Sequence, residues 1–172
     1  MKLTDLRVAN DELITWGTRT YVMGIINITP DSFSGDGIYS DNDKALRQAC
    51  SFMAEGADFI DIGAESTRPQ HIPVSENEEL ERIMPAIERI VNEIGLPISI
   101  DTSKSSVALE ALKAGAHMIN DVSGLHADPK MTEVLHKWEC PIVIMHNSKA
   151  TNYQDVVSEV RNSLNTTVQR AL

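Results

Sequence analysis

The sequence predicts an α/β protein built on a parallel sheet, and three observations carry that expectation. Short apolar runs rich in Ile and Val alternate with longer amphipathic segments. The runs lack polar alternation, as strands buried on both faces do. The amphipathic segments repeat their apolar residues at helical spacing.

In chain order, Leu3 to Val8 and Leu13 to Trp16, with Asn10-Asp11 between them, suggest a short β-hairpin. Five core strands are then expected at Tyr21 to Ile26, Ala57 to Ile62, Pro97 to Ile100, Ala116 to Ile119 and Pro141 to Met145. Helices fill the gaps. Asn42 to Glu55 puts Ala45, Leu46, Ala49 and Met53 on one stripe, with Gly56 as its C′ residue. Ser75 and Glu78 form a capping box for the next helix. Leu80, Ile83, Met84, Ile87, Ile90, Val91 and Ile94 supply its stripe, and Gly95 and Pro97 end it. Pro85 inside that helix predicts a kink or a restart. Ser105 to Lys113, Lys130 to Lys137 and Asn152 to Leu172 complete the helices, the last with a stripe of Val156, Val160, Leu164 and Val168. The whole is read as one domain over residues 1–172, in five βα units.

Composition narrows the function classes. A formal net charge of -10 argues against a nucleic acid or an anionic membrane as partner, but not against a phosphorylated small molecule. Cys50 and Cys140 sit in apolar segments and read as buried thiols, with no zinc or redox spacing. The first ten residues lack the apolar core of a signal peptide, and no run approaches a membrane span, so the cytoplasm is the expected compartment.

In an α/β barrel, chemistry sits where the strands end. Strand one runs into Asn27 and then Ile28 to Gly37. Strand two contains Asp61 and runs into Gly63 to Pro69. The others run into Asp101-Thr102-Ser103-Lys104, Asn120-Asp121 and His146-Asn147. Every one of the five strand ends carries a carboxylate, carboxamide or imidazole, which suggests a polar site over an apolar interior.

Two of these stretches are long enough to be distinctive. Met23 to Ser34 (MGIINITPDSFS) and Asp61 to Pro69 (DIGAESTRP) resemble the two signatures of the dihydropteroate synthase family. Ser99 to Thr102, Ile119 to Asp121 and Met145 to Asn147 follow in the matching order, and the likeness extends over the whole chain. The resemblance implies a TIM (β/α)8-barrel type fold, of which this chain supplies about the first five βα units behind its hairpin. It also implies a transferase that joins a dihydropterin diphosphate to p-aminobenzoate in folate biosynthesis. Small-molecule substrates, a Mg2+ ion and a homodimer of the full-length enzyme come with it.

Residue by residue, the resemblance assigns the following roles. Asn27, by itself an ordinary turn former, would hold Mg2+ through its carboxamide oxygen, and the ion would hold the substrate's diphosphate. Thr29 to Gly37 would close over the site and help form the p-aminobenzoate pocket, with Phe33 near that substrate. The family usually has Asp directly after Ser34 and then two glycines. Here the order is Gly35-Asp36-Gly37, so Asp31 and Asp36 both stay open as the catalytic aspartate that steadies a positive pterin. Thr67 and Arg68 would contact the diphosphate and the aminobenzoate, Arg68 also in a catalytic role, where a surface ion pair is the plain alternative. Asp101 would grip the adjacent N–H donors of the pterin's aminopyrimidinone edge, provided that Thr102 or Ser103 caps the following helix. Asn120, which can both donate and accept, would also contact the pterin, unless it only caps the strand with Asp121. His146, Glu65 and Asp61 are left between structural and supporting roles.

The implied reaction is substitution at the methylene carbon attached to the pterin, with diphosphate leaving and no side-chain nucleophile. Two other readings stand beside it. One is a methyltetrahydrofolate–corrinoid methyltransferase, which shares the pterin-binding barrel but has no evident need for the two long signatures. The other is an inactive truncated remnant. A full barrel typically takes ~250 residues. The family's later Asp, Lys and Arg-x-His are not among these residues, so the isolated chain is expected to be poorly active and prone to aggregate.

Overall fold

The computed structural model describes residues 6–7, 13–29, 42–66, 73–148 and 152–172. Strands β1 (Leu6–Arg7) and β2 (Leu13–Ile14) pair antiparallel as the expected hairpin. Then come β3 (Met23–Asn27), α1 (Asn42–Ala54), β4 (Phe59–Gly63), α2 (Glu76–Glu93), β5 (Ile98–Asp101) and α3 (Ser105–Lys113). β6 (Met118–Asp121), α4 (Met131–Trp138), β7 (Ile142–Ile144) and α5 (Val156–Ala171) complete the order. The five long strands form one parallel sheet in sequence order, β3-β4-β5-β6-β7, as successive βα units dictate.

The two faces of this sheet differ. Ile26, Ile62, Ile100, Ile119 and Ile142 are register partners in a row, and the first four are fully buried beneath the helices. Ala45, Ala49, Ile83, Ile87, Ile90, Val107, Ala108 and Ala111 meet that row from α1, α2 and α3. The opposite face is the interior one. Near its N-terminal end, Ile14, Phe59 and Met118 are buried, with Tyr21 and Met23 against them. Ile14 of the hairpin and Tyr21 after it thus help floor the interior, and the C-terminal rim stays open. Ile25 and Val143, on the same face, are 56% and 41% exposed.

Close packing of α1 on β3 depends on one glycine. A Cβ on Gly24 would lie 2.4 Å from Phe52 Cδ2. Gly24→Ala is expected to cost about 1–3 kcal/mol, read by urea unfolding, because Phe52 must leave its position.

Helix ends follow their residues. Gly56 (φ +93) closes α1, its N–H donating to Met53 O at 3.2 Å. Gly115 (φ +104) closes α3 in the same way. Ser75 caps α2, accepting from Glu78 N at 3.2 Å, but the Glu78 carboxylate pairs with Arg82, so only half of the expected box forms. The restart expected at Pro85 does not occur: α2 runs unbroken through it. Pro85 is on the exposed face, so the carbonyl it leaves unpaired can meet water, while Ile83, Ala86 and Ile87 hold both halves on the core. α2 ends at Glu93 with Ile94 as its extended C-cap, directly before Gly95 and Pro97 as expected.

Two burial expectations also change. Cys50 is exposed, and Cys140 is half-buried with its thiol pushed up by burial to about 11. The α5 helix forms, but its stripe does not sink into the core: Val156 is 52% exposed, and Thr167 is the buried residue. No described helix is long and apolar enough to cross a membrane.

Candidate functional site

Strand register assembles the site. Asn27 pairs with Gly63, Gly63 with Asp101, Asp101 with Asn120, and Asn120 with Val143. In-register residues of a parallel sheet share a level and a face, and neighbouring strands are about 5 Å apart. Asn27, Asp101 and Asn120 therefore stand in one row on the interior rim. One pleat lower lie Ile25, Asp61, Ser99 and Met118. Asn27 and Asp101 are the last residues of β3 and β5, and Asn120 is the last but one of β6, so register brings all three to one rim. Asp31, Phe33, Asp36, Thr67 and Arg68 lie outside the described residues.

Asp101 is half-buried, and among the described residues none donates a hydrogen bond to its carboxylate. Burial raises its pKa to about 7, with the charges of Asp61, Glu79, Asp121 and Glu65 adding to the rise. A carboxylate held without donors, next to open space, is a ready acceptor for a ligand with paired N–H groups. Neither Thr102 nor Ser103 caps α3, whose N-cap is Lys104 with no side-chain capping bond, yet Asp101 is still left free for that task. Thr102 Oγ1 accepts from Lys104 N at 3.2 Å, and Asp128 of the β6–α4 loop accepts from Ser105 N at 2.9 Å.

Asn120 is oriented from below. Its Nδ2 donates to Asp61 Oδ2 at 3.3 Å, which fixes the amide so that its oxygen can face the rim. Asp121, the alternative partner, is otherwise engaged: it accepts from Ser123 N at 2.8 Å and Leu125 N at 3.0 Å, holding the turn after β6. Asp61 is 3% exposed, and burial raises its pKa against the lowering effect of Ser99 and Asn120. Ser99 lies close enough to be felt, yet neither Asp61 Oδ1 nor Ser99 Oγ completes a hydrogen bond. Two unpartnered buried oxygens below the rim mark the interior as a place for a polar ligand or ordered water.

Gly63 leaves the room between Asn27 and Asp101. A Cβ there would lie 3.3 Å from Asp101 Cβ and 3.5 Å from its Oδ2. Gly63→Ala is expected to nudge the carboxylate and narrow the gap. The fold should lose under about 1 kcal/mol, while affinity for a ligand held by Asp101 falls about tenfold in calorimetry.

Asn27 is exposed at the rim, and none of the described residues bonds its carboxamide. Its hard oxygen suits Mg2+, which takes one or two protein ligands beside phosphate and water. No cluster of three His, Cys, Asp or Glu that could hold a metal occurs among the described residues.

His146 is a clamp rather than a rim group. Its Nδ1 meets Ser163 Oγ at 2.8 Å and its Nε2 meets Tyr153 OH at 3.0 Å, so both ring nitrogens are spent on holding α5. Sequence reasoning gave no role to Lys104. Its ammonium pairs with Glu65 and with Glu79, a fully buried carboxylate on α2. Burial lowers the Lys104 pKa, but its hydrogen bonds to Glu65 and Glu79 outweigh that and raise it. Position directly after Asp-Thr-Ser at a strand end was the available signal.

Comparison with known proteins matches this geometry. The profile of the family described as pterin binding enzyme matches residues 23–172. A dihydropteroate synthase of Bacillus subtilis is 50% identical over 159 residues, 92% of this chain and 56% of that protein. One of Clostridium beijerinckii is 45% identical over 148 residues, 86% of this chain and 55% of that protein. Among solved structures, the Clostridium difficile dihydropteroate synthase in the presence of pteroic acid superposes with a TM-score of 0.85 at 46% identity, covering 90% of this chain and 59% of that one. The Xanthomonas albilineans dihydropteroate synthase with 4-aminobenzoic acid gives 0.85 at 41% identity, with 95% and 59% covered. The chain thus spans a little over half the length of these relatives. On the match over residues 23–172, the chain belongs to the pterin binding enzyme family.

Proposed function

We propose that this chain carries the pterin- and diphosphate-binding part of a dihydropteroate synthase, which condenses 6-hydroxymethyl-7,8-dihydropterin diphosphate with p-aminobenzoate. One observation carries the reading: a half-buried carboxylate, Asp101, with no donor among the described residues, beside an amide, Asn120, that Asp61 holds in place. That pair matches an aminopyrimidinone edge, which offers adjacent N–H donors and a carbonyl. The relatives' names, and the pteroic acid and 4-aminobenzoic acid in the neighbours' structures, supply the substrate class.

In the reaction, the aromatic amine attacks the methylene carbon on the pterin. A C–N bond forms, the C–O bond to diphosphate breaks, and the amine loses a proton. The described residues contribute binding and orientation. Asp101 and Asn120 fix the ring above the apolar floor of Ile14, Phe59 and Met118. Magnesium on Asn27 would supply charge neutralisation for the leaving diphosphate. Arg68, Thr67, Phe33 and an aspartate, Asp31 or Asp36, belong to the proposal through the family resemblance. The Mg2+ ion, a cytoplasmic setting and a homodimer of the full-length enzyme rest on that resemblance too.

Isothermal titration of the chain with the dihydropterin diphosphate and Mg2+ tests the reading. Saturable heat that Mg2+ strengthens is expected. A chain that is folded by circular dichroism yet gives no heat at millimolar ligand contradicts it and favours the remnant.

A further inference from the structure

Glu65 stands just beyond the end of β4 and touches more of the rim than its position in a loop suggests. One carboxylate oxygen accepts from Lys104 Nζ, and the other accepts from Val74 N at 3.4 Å. Lys104 is three residues past Asp101 in the same turn, and its ammonium continues to Glu79 in the first turn of α2. One ammonium and two carboxylates therefore join the end of β4, the β5–α3 turn and the start of α2.

We propose that Glu65 is a positioning residue for Asp101: it braces the turn that carries Asp101 against the end of β4 and the start of α2, and its charge faces the Asp101 carboxylate. The proposal rests on the pterin-site reading and names a residue through which that site is set.

The charges around Asp101 support it. After burial, the charges of Asp61 on β4, Glu79 on α2, Asp121 on β6 and Glu65 in the β4–α2 loop all raise its pKa. Among the described residues Lys104 is the cation that pairs with Glu65 and Glu79, and Asn27 and Asn120 on the rim row are neutral. Of the two carboxylates on Lys104, Glu79 is fully buried and Glu65 has its side chain 18% exposed, so Glu65 is the one whose substitution disturbs the fold less.

Two variants separate brace from charge. Glu65→Gln keeps an oxygen acceptor for Lys104 and Val74 but removes the charge. Glu65→Ala removes both. The Asp101 carboxyl is followed by 13C NMR across pH in the ligand-free chain, and the dissociation constant of the dihydropterin diphosphate is measured at pH 8. Asp101 is expected to titrate about one pH unit lower in both variants. At pH 8, Glu65→Gln should bind like the parent and Glu65→Ala about tenfold more weakly. An Asp101 that titrates at the parental pH in Glu65→Gln overturns the electrostatic role, and parental affinity in Glu65→Ala overturns the brace. A parent chain that binds no pterin would end the pterin-site reading instead. That failure is told apart because the ligand-free titration does not depend on it.

Discussion

Asp101→Asn is expected to lower pterin affinity by about 100-fold or more while making the fold more stable at pH 8. The two effects share one cause. A carboxylate accepting two N–H groups contributes roughly 1.5–3 kcal/mol per bond, and an amide presents one donor where an acceptor is needed. The same carboxylate is costly to fold around. Burial first, and then its acidic neighbours, move its pKa from the ordinary value near 3.8 to about 7. For an acid whose pKa rises on folding, the penalty is absent below the unfolded value. It grows between 3.8 and about 7 and is constant above. Full burial would make it about 4 kcal/mol, and partial contact with water reduces the expected gain to roughly 1–3 kcal/mol. Urea unfolding should therefore show Asp101→Asn gaining more at pH 8 than at pH 5. The linked result is that parental pterin affinity falls as pH drops through 7, whereas the variant's residual affinity stays flat there.

Lys104→Met should cost the fold about 3 kcal/mol. Glu79 is fully buried, its Oε2 pairs with Lys104, and its Oε1 has no partner. Removing the cation leaves a buried charge uncompensated, which is among the more damaging single changes. Replacing both partners, Lys104→Met with Glu79→Met, should recover most of the loss, since an apolar pair of similar volume no longer needs desolvation to be offset. Denaturant curves for the two single variants and the double measure it. Singles that lose less than about 0.5 kcal/mol would show that the pair is more hydrated than its burial indicates.

Strand order, helix positions and the rim row were legible because they follow from local rules. Ile-rich runs have the length of buried strands, and Asn27, Asp101 and Asn120 fall at, or one residue before, the C-terminal ends of theirs. Period arguments fail where packing decides. Pro85 reads as a break, yet the buried residues on either side carry the helix through it. The Val stripe of α5 is amphipathic by spacing, but spacing does not name the surface it meets, and most of that stripe remains half-buried or exposed. Side-chain partners are the least legible layer. For Asn120 the plain alternative to pterin contact is a cap shared with its neighbour Asp121. The sheet instead gives it Asp61 from two strands away, since alternate residues share a face and adjacent ones do not. Lys104 and Glu79 are 25 residues apart and meet only once α2 packs beside β5.

The central claim is that the pterin sits on the interior rim with its aminopyrimidinone edge on Asp101 and Asn120. Amide chemical-shift mapping of the labelled chain with the dihydropterin diphosphate tests it most directly. The account predicts saturable shifts centred on Gly63, Asp101, Thr102 and Asn120, absent in Asp101→Asn, with α5 unmoved. Shifts centred on α5 or the hairpin, or a pattern that survives unchanged in Asp101→Asn, would contradict it.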